Sequence, residues 1–173
     1  DLPIHERAKK FKIGYIPQND SVFRGLNCED NLKAIAEISI KDKKQQEDKI
    51  EQLLSEFSLT HLKKINADNL SGGERKKLVI ARALINDPKI LLMDEPYGAV
   101  DQINLEVIKS IIVNLQKKGV SVLLTDHSAQ NVLSIVDRCS IISDGQIITS
   151  GTPSEIINDS KAKKLYFGEN FNI

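Results

Sequence analysis

Apolar residues along the chain follow two periods, and the alternation between these periods predicts the order of the elements. Short apolar runs with few polar interruptions are typical of strands buried on both faces of a parallel sheet. Such runs predict strands at residues 11–16, 89–93 and 120–124, and two further strands at 139–142 and 146–149. The Asp144-Gly145 pair between the last two strands predicts a two-residue hairpin.

Between the strands, apolar residues recur every three or four positions, which predicts amphipathic helices. The positions with this spacing are Leu32, Ile35, Ala36 and Ile38, then Ile50, Leu53, Leu54 and Phe57, and later Ile103, Val107, Ile111 and Leu115. Asn27 is expected to cap the first helix, and Gly119 to end the last. Further helices are predicted from Ser71 to the stop at residues 86–88, at about 128–136, and after the Thr152-Pro153-Ser154-Glu155 capping box.

Strands that alternate with helices indicate an α/β fold, with a mainly parallel sheet and helices on both of its faces. The helices between Gln18 and Ser71 follow one another without a strand. Residues of about 19–70 are therefore expected to form a helical insert within a single domain.

Composition excludes several classes of function. The 173 residues contain 24 Lys and Arg against 24 Asp and Glu, so no net positive field attracts nucleic acid. No apolar run approaches the roughly 18 residues that a membrane span needs, and we expect no secretory signal. Cys28 and Cys139 stand far apart and indicate neither a disulfide framework nor a metal site. We therefore expect a reduced, cytosolic location.

The segment Leu70-Ser71-Gly72-Gly73-Glu74 is the first candidate for chemistry. Ser71 and Glu74 have the spacing of a capping box, which accounts for these two residues alone. Each glycine in the first helical turn costs about 1 kcal/mol relative to alanine, and capping does not explain that cost. A helix tip without side chains exposes backbone N–H groups and the positive end of the helix dipole, which together bind phosphate. We interpret this tip as a phosphate contact.

Two acidic residues, Asp94 and Glu95, follow the apolar run at 89–93. Ligands bind at the carboxyl ends of parallel strands, where Asp94 would hold Mg²⁺ and Glu95 would polarise an attacking water molecule. His127 follows the strand at 120–124 and is expected level with this pair, donating a hydrogen bond to a phosphate oxygen. The alternatives are two solvated acids at a strand end and a structural histidine.

Gln18, after the first strand and Pro17, and Asp101, before the long helix, are weak signals alone. A surface position is the alternative for Gln18, and an N-cap is the alternative for Asp101. In their order and element context, these two residues and the segments above resemble the ATP-binding subunit of an ABC transporter. The resemblance covers the chain from about Phe11 to its end.

The resemblance implies a P-loop NTPase fold that binds ATP and Mg²⁺ and hydrolyses ATP to drive transport. By this resemblance, Gln18 is the Q-loop glutamine, which also lies near the metal, and Ser71, Gly72, Gly73 and Glu74 form the signature motif. Asp94 is the metal-binding Walker B aspartate, and Glu95 is the catalytic glutamate. Asp101 is the D-loop aspartate, and His127 is the switch histidine. The family works as a head-to-tail pair of ATPase subunits, in which the signature motif of one subunit closes over ATP held by the other. Its further partners are transmembrane permease subunits, so the resemblance implies a peripheral location on the inner face of the inner membrane.

Three segments are similar to the lipopolysaccharide-export branch of this family in Gram-negative bacteria. They are residues 14–18, residues 21–26 and the tail at 165–171. The importers of branched-chain amino acids share part of such tails and are the alternative. The D-loop at residues 97–101 departs slightly from the expected pattern, which leaves the neighbours of Asp101 unassigned.

No G-x-x-x-x-G-K-[ST] motif occurs in the sequence, although this loop normally holds the β- and γ-phosphates. Because the family places the loop ahead of the Q-loop, residues 1–173 are expected to be a partial ATPase domain, truncated before Gln18. The missing strand would lie between the strands at 120–124 and 139–142, so apolar surface should be uncovered there. The parent protein is expected to hydrolyse ATP, and these residues alone are not.

Two other classes of function remain open. One is a naturally shortened, non-catalytic chain that supplies only the signature motif to a complete ATPase. The other is the head of a chromosome-maintenance ATPase, which is disfavoured because residues 19–70 lack sustained heptads. In the family, the segment from Gln18 to Ile40 contacts the membrane subunits, which makes Phe23 and Leu26 candidates for that contact. Burial within the helical insert is the alternative for both residues.

Overall fold

A computed structural model describes residues 2–19, 21–98 and 100–167 of the chain. The chain forms two compact units, Asp1–Asp126 and His127–Ile173. Among the described residues, no helix is both long and apolar enough to cross a membrane.

The first unit contains a parallel sheet of three strands surrounded by helices. Its elements are α1 (Ile4–Phe11), β1 (Ile13–Ile16), α2 (Cys28–Ser39), α3 (Lys43–Glu56), α4 (Gly72–Ala83), β2 (Ile90–Asp94), α5 (Gln102–Lys117) and β3 (Ser121–Thr125). The strand order is β1-β2-β3, and Ile16 pairs with Met93 while Asp94 pairs with Thr125. All three strands therefore end at the same edge of the sheet, which confirms the predicted α/β class.

The predicted strand at 11–16 is wrong at its start. Phe11 is the last residue of α1, and Lys12 takes a left-handed conformation with φ of 52° before β1 begins at Ile13. The helix itself has no predicted counterpart. Ile4, Ala8 and Phe11 have the i, i+4, i+7 spacing of an amphipathic helix, although none of the residues of α1 is buried.

The core of the first unit lies between the sheet and its helices. The fully buried side chains include Leu91 and Met93 of β2, Leu78 and Ile80 of α4, Ile108 of α5, and Leu32, Leu53 and Leu54 of α2 and α3. Helices are present where the insert is predicted, with Asn27 capping α2 and Asp42 capping α3. Within the described part of the chain, β3 pairs with β2 alone, and Leu123 on β3 is 64% exposed.

The second unit is a hairpin with short helices. Its elements are α6 (Ala129–Leu133), β4 (Cys139–Ser143), β5 (Gln146–Gly151), α7 (Pro153–Asn158), α8 (Ser160–Ala162) and a π-helical turn (Lys163–Phe167). Asp144 and Gly145 both have positive φ, which confirms the predicted tight turn. Thr152 and Glu155 form the predicted capping box. The hairpin strands make an antiparallel sheet of their own.

Candidate functional site

Polar side chains from three strand ends meet at one edge of the parallel sheet. Gln18 Nε2 donates a hydrogen bond to Glu95 Oε2 at 2.8 Å, although the two residues are 77 positions apart. Thr125 Oγ1 donates to Asp94 Oδ1 at 2.6 Å across the β2–β3 pair. These four residues, Gln18, Asp94, Glu95 and Thr125, are the strand-end cluster. The structure thus brings three of the predicted site residues together and adds Thr125 to them.

Glu95 is held in an unusual backbone conformation. Its φ is 44°, in the left-handed region that a non-glycine residue rarely adopts. The Glu95 N–H donates to the carbonyl of Thr125 at 2.8 Å, and the Glu95 carbonyl accepts from Gly98 N at 3.1 Å. Such strain persists only where surrounding contacts determine it, and it is concentrated at functional sites.

A buried lysine reaches the same carbonyl. Lys76 of α4 is 5% exposed, and its Nζ lies 3.5 Å from the Glu95 carbonyl oxygen. Buried lysines need acceptors because an unpaired buried charge is costly. Sequence reasoning missed Lys76. The signal that could have revealed it is its position two residues before Leu78, since both residues are buried on α4.

Tyr97 closes the loop after β2. Its N–H donates to Asp126 Oδ2 at 3.1 Å, and its side chain is 5% exposed. Burial raises the pKa of the phenol, and the carboxylates of Asp126 and Glu106 raise it further. Ala99, within the predicted D-loop, lies outside the described residues.

The tip of α4 is a capping box, as predicted. Ser71 N donates to Glu74 Oε2 at 2.8 Å, and Glu74 N donates to Ser71 Oγ at 3.3 Å. The hydrogen bonds from the Ser71 backbone and side chain lower the pKa of the Glu74 carboxyl. Gly72 is exposed at the tip, whereas Gly73 is buried.

Asp101 caps α5, which is the structural alternative that the sequence left open. Asp101 Oδ1 accepts from Ile103 N at 3.1 Å and from Asn104 N at 3.0 Å. Asn104 Nδ2 donates to Asp101 Oδ2 at 2.6 Å, and the hydrogen bonds from Asn104 lower the pKa of the Asp101 carboxyl. The residues at these two helix ends, Ser71, Gly72, Gly73, Glu74, Asp101 and Asn104, are the helix-tip cluster.

His127 is exposed at the start of the second unit. Its carbonyl accepts a hydrogen bond from the Tyr166 hydroxyl at 3.1 Å. The role of its imidazole at the strand-end cluster stays a prediction. Of the tail at 165–171, residues 168–171 lie outside the described residues.

Phe23 and Leu26, the predicted contacts for membrane subunits, are partly exposed rather than buried in the helical insert. The Arg82 guanidinium carbon lies 4.4 Å from the centroid of the Phe23 ring. Asn31, which is fully buried, holds the loop between them through hydrogen bonds to the Phe23 and Leu26 carbonyls. The loop therefore presents two apolar side chains on an ordered backbone.

The chain is similar in sequence to ATP-binding proteins of ABC transporters. Residues 3–98 match the family model described as ABC transporter. An uncharacterized ABC transporter ATP-binding protein of Rhizobium meliloti is 42% identical over 172 residues, which cover 99% of this chain and 63% of the relative. The lipopolysaccharide export system ATP-binding protein LptB of Escherichia coli K12 is 43% identical over 175 residues, which cover 99% and 71% of the two chains.

A solved structure shows the same fold. The ADP conformation of MJ1267, an ATP-binding cassette of an ABC transporter, superposes with a TM-score of 0.81 at 27% identity. The superposition covers 94% of this chain and 71% of that chain. The chain thus spans between about three fifths and three quarters of the length of these proteins.

Proposed function

Because this chain belongs to the ABC transporter family, we propose that it is part of a subunit that binds and hydrolyses ATP to drive transport through partner membrane subunits. The similarity to LptB supports lipopolysaccharide export as the transport process. The ADP conformation of the MJ1267 cassette supports a nucleotide as the ligand. The partly exposed Phe23 and Leu26 are the surface proposed for the membrane subunits.

The hydrogen bond from Gln18 to Glu95 is the observation that carries the proposal. A carboxylate that orients water for attack on a phosphate must be held in one direction, since catalysis of phosphoryl transfer rests on positioning and electrostatics. Gln18 Nε2 donates to Glu95 Oε2 at 2.8 Å and so fixes the direction of the carboxylate that would orient the water molecule. The backbone of Glu95 is fixed by its own hydrogen bonds, which further limits the directions that the carboxylate can take.

The residues present fit a magnesium ion that arrives with the nucleotide. Among the described residues, no group of three or more His, Cys, Asp or Glu side chains forms a metal site by itself. Mg²⁺ is usually held by one or two carboxylates together with substrate phosphates, which suits Asp94 with the amide oxygen of Gln18. Thr125 orients the Asp94 carboxylate through its hydrogen bond. When bound, the ion would neutralise charge on the phosphates.

The helix-tip cluster serves a different nucleotide in this proposal. The Ser71 N–H already donates to Glu74 Oε2, so the exposed Gly72 supplies the backbone N–H at this tip that is proposed to bind ATP held by a second copy. Asp101 is exposed and Glu74 is half-exposed, and each lies at the start of its helix. Both residues are proposed to face the second copy. The imidazole of His127 is proposed to donate a hydrogen bond to a phosphate of the ATP on its own chain.

The test is ATP turnover by the intact gene product, measured as phosphate release. Glu95→Gln keeps the hydrogen bond acceptor for Gln18 but loses the base, so turnover should fall about 1,000-fold while ATP binding persists. Glu47→Gln, an exposed change on α3, is the matched control and should leave turnover unchanged. Glu95→Gln protein that still hydrolyses ATP at the original rate would contradict the proposal.

The cargo is tested separately in the host. Depletion of the protein should leave newly made lipopolysaccharide in the inner membrane, and Glu95→Gln should not restore its export. Normal export after depletion would overturn the cargo while leaving the ATPase proposal intact.

A further inference from the structure

The two glycines at the tip of α4 have different environments. Gly72 is exposed, but Gly73 is buried against the first turn of α5. A Cβ added at Gly73 would lie 2.2 Å from Asn104 Cγ and 2.5 Å from both Asn104 Nδ2 and Oδ1. Those distances are far shorter than any real carbon contact, so the carboxamide of Asn104 occupies the space that a side chain at residue 73 would need. Phosphate binding alone therefore does not explain this glycine.

The carboxamide of Asn104 is held in place from the other side. Its Nδ2 donates to Asp101 Oδ2 at 2.6 Å, and its backbone N donates to Asp101 Oδ1 at 3.0 Å. One side chain therefore contacts both the capping aspartate of α5 and the backbone of the α4 tip. An aliphatic residue at position 104 would fill the space without the hydrogen bond. A glycine there would leave Asp101 Oδ2 without its donor.

Both helices are anchored beyond this contact, so the contact sets the separation of their tips. Leu78 and Ile80 bury α4 in the core, and Leu105 and Ile108 bury α5. The free ends of two anchored helices can still tilt by small amounts, because the first turn of each lacks intrahelical bonds to its N–H groups. The contact between Gly73 and Asn104 removes that freedom at the point where the tips meet.

We propose that Asn104 is a positioning residue that sets the Ser71–Gly72 tip relative to Asp101. This role rests on the proposed function, in which one copy presents both groups to the ATP bound by a second copy. Asn104 itself does not touch the nucleotide. It acts through Gly73 on one side and through Asp101 on the other, and a shift of about 1 Å in such groups costs about 100-fold in rate.

The first test compares single variants of the intact gene product. Asn104→Ala should lower kcat for ATP about tenfold and leave the affinity for ATP at low protein concentration unchanged. Asn104→Asp keeps the shape but places a carboxylate against Asp101, and should lower kcat by a similar factor. Asn114→Ala, the same change at an exposed position of α5, is the control and should be silent.

The second test is a cycle with Gly73→Ala. Alone, Gly73→Ala should lower turnover about 100-fold, because its Cβ displaces Asn104 and with it the tip. Asn104→Ala removes all three clashing atoms, so the double variant should recover at least tenfold of that loss. Association of two copies in ATP, measured by light scattering in the Glu95→Gln background, should show the same recovery. Where Gly73→Ala protein does not fold, the kcat of the two single Asn104 variants decides the role, because recovery of folding reports only the steric clash.

The outcomes separate the two proposals. Wild-type protein that neither hydrolyses ATP nor associates in ATP overturns the proposed function itself. Active wild-type protein whose double variant shows no recovery overturns only the role of Asn104, because Gly73 would then be needed at the nucleotide directly. Unchanged kcat in both single variants of Asn104 also overturns that role.

Discussion

The strand-end cluster and the helix-tip cluster are built in opposite ways. The contacts of the strand-end cluster join residues far apart in sequence, with 77 positions between Gln18 and Glu95 and 31 between Asp94 and Thr125. The helix-tip cluster depends on local caps, in which Ser71 bonds to Glu74 and Asp101 bonds to Asn104, three positions along each helix. The contact between its two helices is steric, where Gly73 meets Asn104.

The difference has a chemical reason. Carboxylates must be aimed by other side chains, and strands of a parallel sheet bring such partners to one edge only through the fold. The first N–H groups of a helix already point out of its N-terminus, so a helix tip needs only a cap and space for the anion. Changes in the strand-end cluster should therefore alter catalysis, whereas changes in the caps should alter stability as well.

Loss of the Gln18 amide should have the largest effect of the three changes that test this contrast. Gln18→Ala removes the donor to Glu95 Oε2, so the carboxylate gains freedom to turn and kcat should fall about 100-fold. The measurement is the kcat for phosphate release from saturating ATP. Asn19→Ala, at the adjacent exposed position, is the control. A change in KM for ATP without a change in kcat would show that Gln18 binds nucleotide and does not aim Glu95.

Thr125 should have a smaller effect, exerted through the metal. Thr125→Val keeps the shape of the side chain but removes the hydroxyl that donates to Asp94 Oδ1. Groups that orient a metal ligand typically contribute about 10-fold or more to metal affinity, so about tenfold more Mg²⁺ should be needed for half-maximal turnover. Thr125→Ser keeps the hydroxyl and should restore the original Mg²⁺ dependence. Equal Mg²⁺ requirements in both variants would remove Thr125 from the site.

Sequence reasoning reached the helix tips more completely than the strand ends, for the same reason. A capping box is a local pattern, so both boxes and the caps at Asn27 and Asp101 were predictable from neighbouring residues. The carboxylates at 94 and 95 were visible as a break in an apolar run. Their partner Thr125 was not, because a threonine at a strand end is common and only the β2–β3 register pairs it with Asp94.

The two residues that sequence reasoning missed at the helices have a common explanation. Lys76 and Asn104 are polar residues on two predicted helices, and the groups that they contact, the Glu95 carbonyl and Gly73, belong to other elements of the fold. The helix α1 differs from these two residues, because Ile4, Ala8 and Phe11 do have helical spacing and Phe11 was instead assigned to the following strand. Long-range packing of a single side chain leaves no periodic trace in a sequence.

The smallest expected effect tests the stability side of the contrast. Hydrogen bonds from Ser71 lower the pKa of the Glu74 carboxyl below its ordinary value of 4.5. A lowered folded-state pKa contributes stability that is fully present above 4.5 and is lost as pH falls through the folded value. Glu74→Gln removes the charge but keeps a hydrogen-bonding side chain, so the free energy of unfolding near neutral pH should fall by about 0.5 kcal/mol.

The difference between Glu74→Gln and wild type should then disappear on acidification, which urea unfolding of the first unit near neutral pH and at about pH 3 would measure. Glu155→Gln is the matched variant, because Thr152 and Glu155 form the same capping box and the pKa of Glu155 is lowered by the same kind of hydrogen bonds. It should show a pH dependence of the same sign for the second unit. A loss of unfolding free energy in Glu74→Gln that grew at low pH would contradict this prediction, because the charge of Glu74 would then destabilise the fold. The tip of α4 would in that case be strained, like the backbone of Glu95 at the strand end.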